Sequence, residues 1–167
     1  MAITIGINGF GRIGRNAARV ILNSNDLTLG AINSLSSPDS HAYLLQHDSS
    51  QGSLSRVAAV NGSHLTVNGK TIDTFQAKEP SDIPWKKAGV DVVLECTGKF
   101  RTEDEASKHL GNSVKRVVIS APVKDDTPTY IIGVNDGSYH GEPVVSNSSC
   151  TTNCVTIVLK VLHDNFL

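Results

Sequence analysis

The chain has 167 residues, of which 39% are hydrophobic and 19% charged, and its formal net charge is −1. That length suits one domain with a real core, and the balanced charge excludes an overall field for nucleic acid or an anionic membrane surface. No run approaches the roughly 20 apolar residues of a membrane span, and three cysteines in a chain this long exclude a disulfide scaffold.

The opening residues, Met1-Ala2-Ile3-Thr4-Ile5, lack the basic region and apolar run of a signal peptide, so a reducing cytoplasm is expected. Ile3 to Ile7 reads as a β-branched strand. A glycine-punctuated turn follows at 9 to 14. Ile13, Ala17, Val20 and Ile21 then recur at helical spacing to about Ser24. Leu27 to Ile32 is a second buried strand, and Pro38 opens another helix. Val57 to Val60, His64 to Val67 and Lys70 to Phe75 are short strand-like runs separated by Asn61-Gly62 and Asn68-Gly69, which suit hairpin turns. They predict an antiparallel excursion. The parallel pattern returns with Val90 to Leu94, a helix near Thr102 to Leu110, and strands at Val117 to Ser120, Thr129 to Ile132 and Val144 to Ser146. A final helix runs from about Cys150 to Asn165. The alternation predicts an α/β fold: a Rossmann-type, doubly wound, mostly parallel sheet. Ligands on such sheets sit outside the carboxyl ends of the strands. The informative loops are therefore 8 to 14, 33 to 36, 96 to 100 and 120 to 123.

Gly9-Phe10-Gly11-Arg12-Ile13-Gly14 matches GxGxxG between a strand and a helix, the context that gives the pattern meaning. Gly9 permits a tight turn, Gly11 lets backbone approach a pyrophosphate, and Gly14 lets helix and sheet pack closely. Free amides at the helix start face the anion, and Arg12 adds local positive charge. A glycine turn without a ligand is the plainer alternative. The usual fingerprint places an acidic residue about 20 positions on, to accept from the adenosine ribose. Here that position is Ser34. A serine would not repel a 2′-phosphate, so NAD or NADP is expected; another acceptor or a water could equally replace the acid.

Ser148-Ser149-Cys150-Thr151-Thr152-Asn153-Cys154 lies between a strand and the last helix. Ser148 or Ser149 can cap that helix, which puts Cys150 in its first turn. Helix starts favour the thiolate, the nucleophilic form. A small buried core thiol is the competing reading, and Cys96, in an apolar run, is expected to be one. Cys150 and Cys154 share a helical face, but a structural zinc site needs four ligands and no further cysteine pair exists, so no metal is expected. The six histidines are scattered and read as surface or structural residues. His163 lies about 20 Å along the helix from Cys150, too far to act as its base. Lys86-Lys87 and Lys115-Arg116 read as solvated pairs.

Together, NGFGRIGR at Asn8 to Arg15, ECTG at 95 to 98, SAP at 120 to 122 and NSSCTTNC at Asn147 to Cys154 resemble the phosphorylating glyceraldehyde-3-phosphate dehydrogenases. The resemblance runs across essentially the whole chain. It implies oxidation of glyceraldehyde 3-phosphate with NAD(P) and inorganic phosphate, through a thioester on Cys150 whose amide helps to hold the oxyanion. It also implies a cytoplasmic glycolytic enzyme, homotetrameric at full length. Position by position, Arg12 and Ile13 match pyrophosphate contacts. Ser34 stands where NAD-specific members have aspartate. Lys78 aligns with an arginine near the adenine end, and a cation there suits a 2′-phosphate. Thr97, Gly98 and Ser120 match the nicotinamide side, and Ser149 and Thr151 match substrate-phosphate contacts. Erythrose-4-phosphate dehydrogenase shares this cysteine chemistry and is the alternative.

The family pattern is half complete at Leu167, so residues 1–149 are expected to form the nucleotide-binding domain and 150–167 the first helix of the catalytic domain. The histidine that activates the cysteine belongs to the other half. The chain by itself is accordingly expected to bind dinucleotide without turnover. Val155, Val158, Leu159 and Leu162 of the last helix are expected to lack packing partners.

Overall fold

A computed structural model describes residues 2–54, 58–67 and 69–166. In chain order its first half comprises β1 (Ile3–Asn8), α1 (Arg12–Leu22), β2 (Leu27–Asn33), α2 (Pro38–Gln46), β3 (His47–Asp48), β4 (Gly52–Ser53), β5 (Ala58–Asn61), β6 (His64–Val67) and β7 (Lys70–Phe75). β8 (Val92–Glu95), α3 (Glu103–Ser107), β9 (Arg116–Ile119), β10 (Val144–Ser146) and α4 (Cys150–Phe166) follow.

Eight strands form one sheet in the order β10-β9-β8-β1-β2-β7-β6-β5. The first six of that order are parallel, as expected of a doubly wound Rossmann fold. β5 and β6 extend the edge antiparallel. The antiparallel excursion is therefore continuous with the main sheet. β7 pairs with β6 through Leu65↔Ile72 and with β2 through Ala31↔Asp73, so one strand serves both patterns. The β5–β6 turn is made by Gly62 and Ser63, since Asn61 already pairs with His64. Val57 and Asn68, assigned to a strand and a turn from the sequence, lie outside the described residues.

Alternate residues of each strand face opposite sides, and each side has its own core. Ile5, Ile7, Leu29 and Ile32 pack with Ala18, Ile21 and Leu22 of α1 and Leu45 of α2. Val93, Val117, Ile119 and Val144 pack on the other face with Trp85, Val90 and Ala106. The second face explains Gly6. A Cβ there would come within 2.7 Å of the Trp85 ring and 2.9 Å of Val90, so the indole lies directly on the β1 backbone.

Three expectations change. The buried stripe of α1 is Gly14, Ala18, Ile21 and Leu22. Ile13 and Val20 are 51% and 69% exposed, so the apolar phase read from the sequence is rotated by one residue. The reason is Gly14, whose close contact with the preceding turn fixes the rotation of the helix. Thr129 to Ile132 is not a strand; it makes one bridge, Thr129↔Ser146. The helix expected at 102 to 110 is a short α3, capped by the Thr102 hydroxyl accepting from the Glu105 amide.

Replacing Gly6 by alanine is expected to cost about 1–3 kcal/mol, the usual penalty of overpacking a filled core. Thermal unfolding of Gly6→Ala checks this, and a variant as stable as the parent would show that the indole can move aside.

Candidate functional site

In a sheet of this order the chain runs to one side after β1 and to the other after β8, and the crevice opens between their carboxyl ends. A cleft of about 270 Å³ lies there. It is lined by Asn8 to Gly11 after β1, Asn33 to Ser36 after β2, Ala77 and Lys78 after β7, and Cys96, Thr97, Lys99 and Phe100 after β8.

The three loop glycines have separate physical reasons. Gly9 has φ of +91°, and a Cβ on it would meet the Thr97 amide nitrogen at 2.6 Å. A Cβ on Gly14 would stand 2.1 Å from the Gly9 carbonyl oxygen; no side chain fits. Around Gly11 a Cβ would meet nothing within 4 Å. Gly11 is also the N-cap of α1, and no side chain caps that helix. Arg12 and Ile13 of its first turn are exposed, and no capping side chain meets their amides, which a helix leaves without intrahelical partners. No acidic residue lies in that turn. Arg15 steadies the turn by donating from Nη1 to the Phe10 carbonyl at 3.1 Å, and the buried Phe10 ring meets His41 edge-on at 5.3 Å.

Of the residues singled out from the sequence, Gly9, Phe10, Gly11, Ser34, Lys78 and Thr97 line this cleft. Arg12 and Ile13 continue from it as the exposed first turn of α1. Gly98 is exposed beside Thr97, with φ of +70°. Ser120 lies at the end of β9, where its hydroxyl donates to the Glu95 carbonyl at 3.0 Å. Lys99 and Phe100 belong to the loop 96 to 100 that the sequence places at this edge, whereas Ala77 lies outside every loop so marked. Only the pairing of β7 beside β2 brings Ala77 to the cleft, and no motif marks it.

Ser149, Cys150 and Thr151 stand apart from this cleft, but at the same edge of the sheet. β1, β8, β9 and β10 are parallel neighbours, so β10 ends about 14 Å from β1, three interstrand steps away. Ser149 is the cap: its Oγ accepts from the Thr152 amide at 2.9 Å. Asn153 binds the helix start to the strand end, donating to the Asn147 and Ser149 carbonyls at 2.7 and 2.9 Å. Ser148 sits at φ of +61°, a left-handed conformation that costs a non-glycine residue about 1–2 kcal/mol. Its amide donates to the Ser146 hydroxyl at 2.9 Å. The result is an exposed Cys150 as the first residue of α4.

No described residue of α4 is buried. Val155, Val158, Leu159 and Leu162 are 46–57% exposed. Among the described residues no group of histidine, cysteine or carboxylate side chains is arranged to hold a metal, and no helix is long and apolar enough to cross a membrane.

Residues 3–103 match the family model described as "Glyceraldehyde 3-phosphate dehydrogenase, NAD binding domain". Over 99% of the chain, a protein named as the cytosolic glyceraldehyde-3-phosphate dehydrogenase of Trypanosoma brucei brucei is 46% identical. The Geobacillus stearothermophilus protein of the same enzyme name and glyceraldehyde-3-phosphate dehydrogenase A of Escherichia coli K12 are each 45% identical. The chain spans about half the length of these curated relatives.

Two outcomes are expected of the side chains around the site. Burial, with the added charge of Arg15, lowers the pKa of His41 below 6.5. Unfolded His41 takes up a proton near pH 6.5 that the folded ring refuses, so its contribution lowers stability as pH falls below that value. Melting temperatures at pH 7.5 and 5.5 should show a smaller acid loss in His41→Leu than in the parent. Cys96 is half-buried in the cleft lining; desolvation raises its thiol to about 11, partly offset by a hydrogen bond with Ser120 and slightly reinforced by the Glu95 charge. Mass spectrometry after brief iodoacetamide treatment at neutral pH should find the exposed Cys150 and Cys154 labelled and Cys96 spared; early labelling of Cys96 would contradict its raised pKa.

Proposed function

Because the chain belongs to the glyceraldehyde-3-phosphate dehydrogenase family, through that family's NAD-binding domain, we propose that the crevice between β1 and β8 seats a dinucleotide. In the complete protein the nucleotide would serve a nucleophile at Cys150. Residues 1–149 are then the nucleotide-binding unit, and α4 begins the catalytic one. The observation that carries this reading is the uncapped start of α1 beside the open space at Gly11. That is the arrangement of amides and room that a pyrophosphate needs.

Gly9, Phe10, Gly11, Arg12 and Ile13 would hold the pyrophosphate, with Arg12 adding charge. Ser34 and Lys78 would meet the adenosine ribose, and Thr97, Gly98 and Ser120 would flank the nicotinamide half. Without a carboxylate at position 34, nothing there repels a 2′-phosphate, and the Lys78 cation attracts one. NADP is therefore accepted alongside NAD. When bound, the nicotinamide supplies a hydride acceptor.

In the complete protein, the Cys150 thiolate would add to the aldehyde of glyceraldehyde 3-phosphate and form a thiohemiacetal. Loss of hydride from that carbon leaves a thioester, which inorganic phosphate cleaves to 1,3-bisphosphoglycerate, returning the thiolate. The Cys150 amide, at the start of α4, would hold the oxyanion, and Ser149 and Thr151 would bind the substrate phosphate. The base for Cys150 is not His163, which lies about 20 Å along the same helix. We expect the chain by itself to bind nucleotide without turnover. The proposal includes a cytoplasmic setting and, for the complete protein, a homotetramer.

Titrating the chain with NADH and NADPH, followed by nucleotide fluorescence, tests this. Both should bind, within about tenfold of each other, and Ser34→Asp should weaken NADPH by at least about tenfold while sparing NADH. Absence of NADH binding would overturn the nucleotide site. A preference for NADH above about a hundredfold would overturn dual use alone.

A further inference from the structure

Beneath the cleft runs a set of buried polar groups whose hydrogen bonds can be given a direction one by one. Trp85 is the chain's single tryptophan, and an indole nitrogen only donates. It reaches Nδ1 of His109 at 3.1 Å, so that ring nitrogen accepts. A neutral imidazole that accepts at one nitrogen donates at the other. The donating nitrogen, Nε2, stands 3.1 Å from Oε2 of Glu95.

A second arm arrives from the opposite side. The Ala77 amide donates to Oδ1 of Asn33 at 2.9 Å. Asn33 must then turn its Nδ2 toward the Ala77 carbonyl and toward Oδ1 of Asn8, 3.0 and 2.8 Å away. Asn8 is thereby left donating from Nδ2 to Oε2 of Glu95 at 2.5 Å. The third arm is Thr97, whose amide donates to Oε1 of Glu95 at 2.8 Å and whose hydroxyl bonds the same oxygen. Four donors converge on one carboxylate. Neither long arm can reverse, because one is pinned by an indole and the other by a backbone amide. Asn8, Asn33, Glu95 and His109 are each at most 3% exposed, so solvent does not substitute for any partner.

We propose that Glu95 is a positioning residue for the nucleotide, acting as the common acceptor that holds both sides of the cleft in register, with Trp85 and His109 setting its hydrogen-bond polarity from outside. This rests on the nucleotide reading above. Asn8, Asn33, Ala77 and Thr97 line the cleft, whereas Trp85 and His109 do not. The carboxylate thus couples the end of β1, the loop after β8 and, through Asn33, the segment that carries Lys78. A glutamine of the same shape cannot replace it. One orientation of its amide puts an NH2 group against the donors of Asn8 and His109; the other puts it against the Thr97 amide. Either way one wall of the cleft loses its anchor.

Nitrogen NMR of the full chain reads the His109 ring without any nucleotide. The Nε2–H tautomer is expected; an Nδ1–H ring or an imidazolium would overturn the assigned polarity. NADH titration and thermal unfolding of Glu95→Gln, His109→Leu and His109→Gln read the positioning. Glu95→Gln and His109→Leu should bind NADH at least about tenfold more weakly than the parent. His109→Gln, whose amide can accept from Trp85 and donate to Glu95, should stay within about threefold. A folded Glu95→Gln with parental affinity would overturn the proposal. So would equal losses in both His109 variants that merely track their melting temperatures. A parent chain with the Nε2–H ring but no affinity for NADH would instead overturn the nucleotide reading, and the positioning role with it, leaving the hydrogen-bond polarity intact.

Discussion

At the carboxyl end of β1 three stretches of backbone meet with no room for a side chain between them. Gly14 lies against the Gly9 carbonyl, and Gly9 lies against the amide of Thr97. This contact sets the rotation of α1, and with it which of the helix's apolar residues are buried. It also draws the loop after β8 against the loop after β1, so that the crevice has a closed floor. The parallel order of the strands does the rest, carrying the ends of β2, β7, β9 and β10 to the same edge.

The floor of the crevice is polar, which is unusual for a region this buried. Unpaired, such groups would each cost about 1–3 kcal/mol. Here Asn8, Asn33, Glu95, Thr97 and His109 satisfy one another. The apolar alternative would pack as well but would hold the loops less specifically, since dispersion has no direction and hydrogen bonds do. The indole of Trp85 links this floor to the core on one face of the sheet: its ring lies on Gly6 and its nitrogen enters the polar set.

The start of α4, where Cys150 sits, is organised differently. Ser148 is held in a left-handed conformation, Ser149 caps α4, and Asn153 ties the helix start back to β10. All of these are local interactions within a few residues. The rest of α4 makes little use of the sheet, and its apolar side chains face outward. Firm anchoring at one end and exposure along the rest suit a helix whose placement is decided at its first turn.

The sequence alone determines whatever depends on neighbours along the chain. The strand–glycine–helix start, a serine cap at 148 or 149 with Cys150 in the first turn after it, the proline that opens α2 and the hairpin runs at 64 to 75 are legible because turns, caps and periodicity are local. It does not determine the phase of α1, because Ile13 and Val20 fit a helical stripe as well as Ala18 and Leu22 do, and only the contact of Gly14 with Gly9 separates the two. Nor does it reveal Ala77 in the cleft or the convergence on Glu95. Those partners are far apart in sequence, Asn8 from Glu95 and Trp85 from His109, and no spacing rule joins them. Tertiary structure decides them because a hydrogen bond needs its two atoms within about 3 Å, and only the strand order brings these atoms that close.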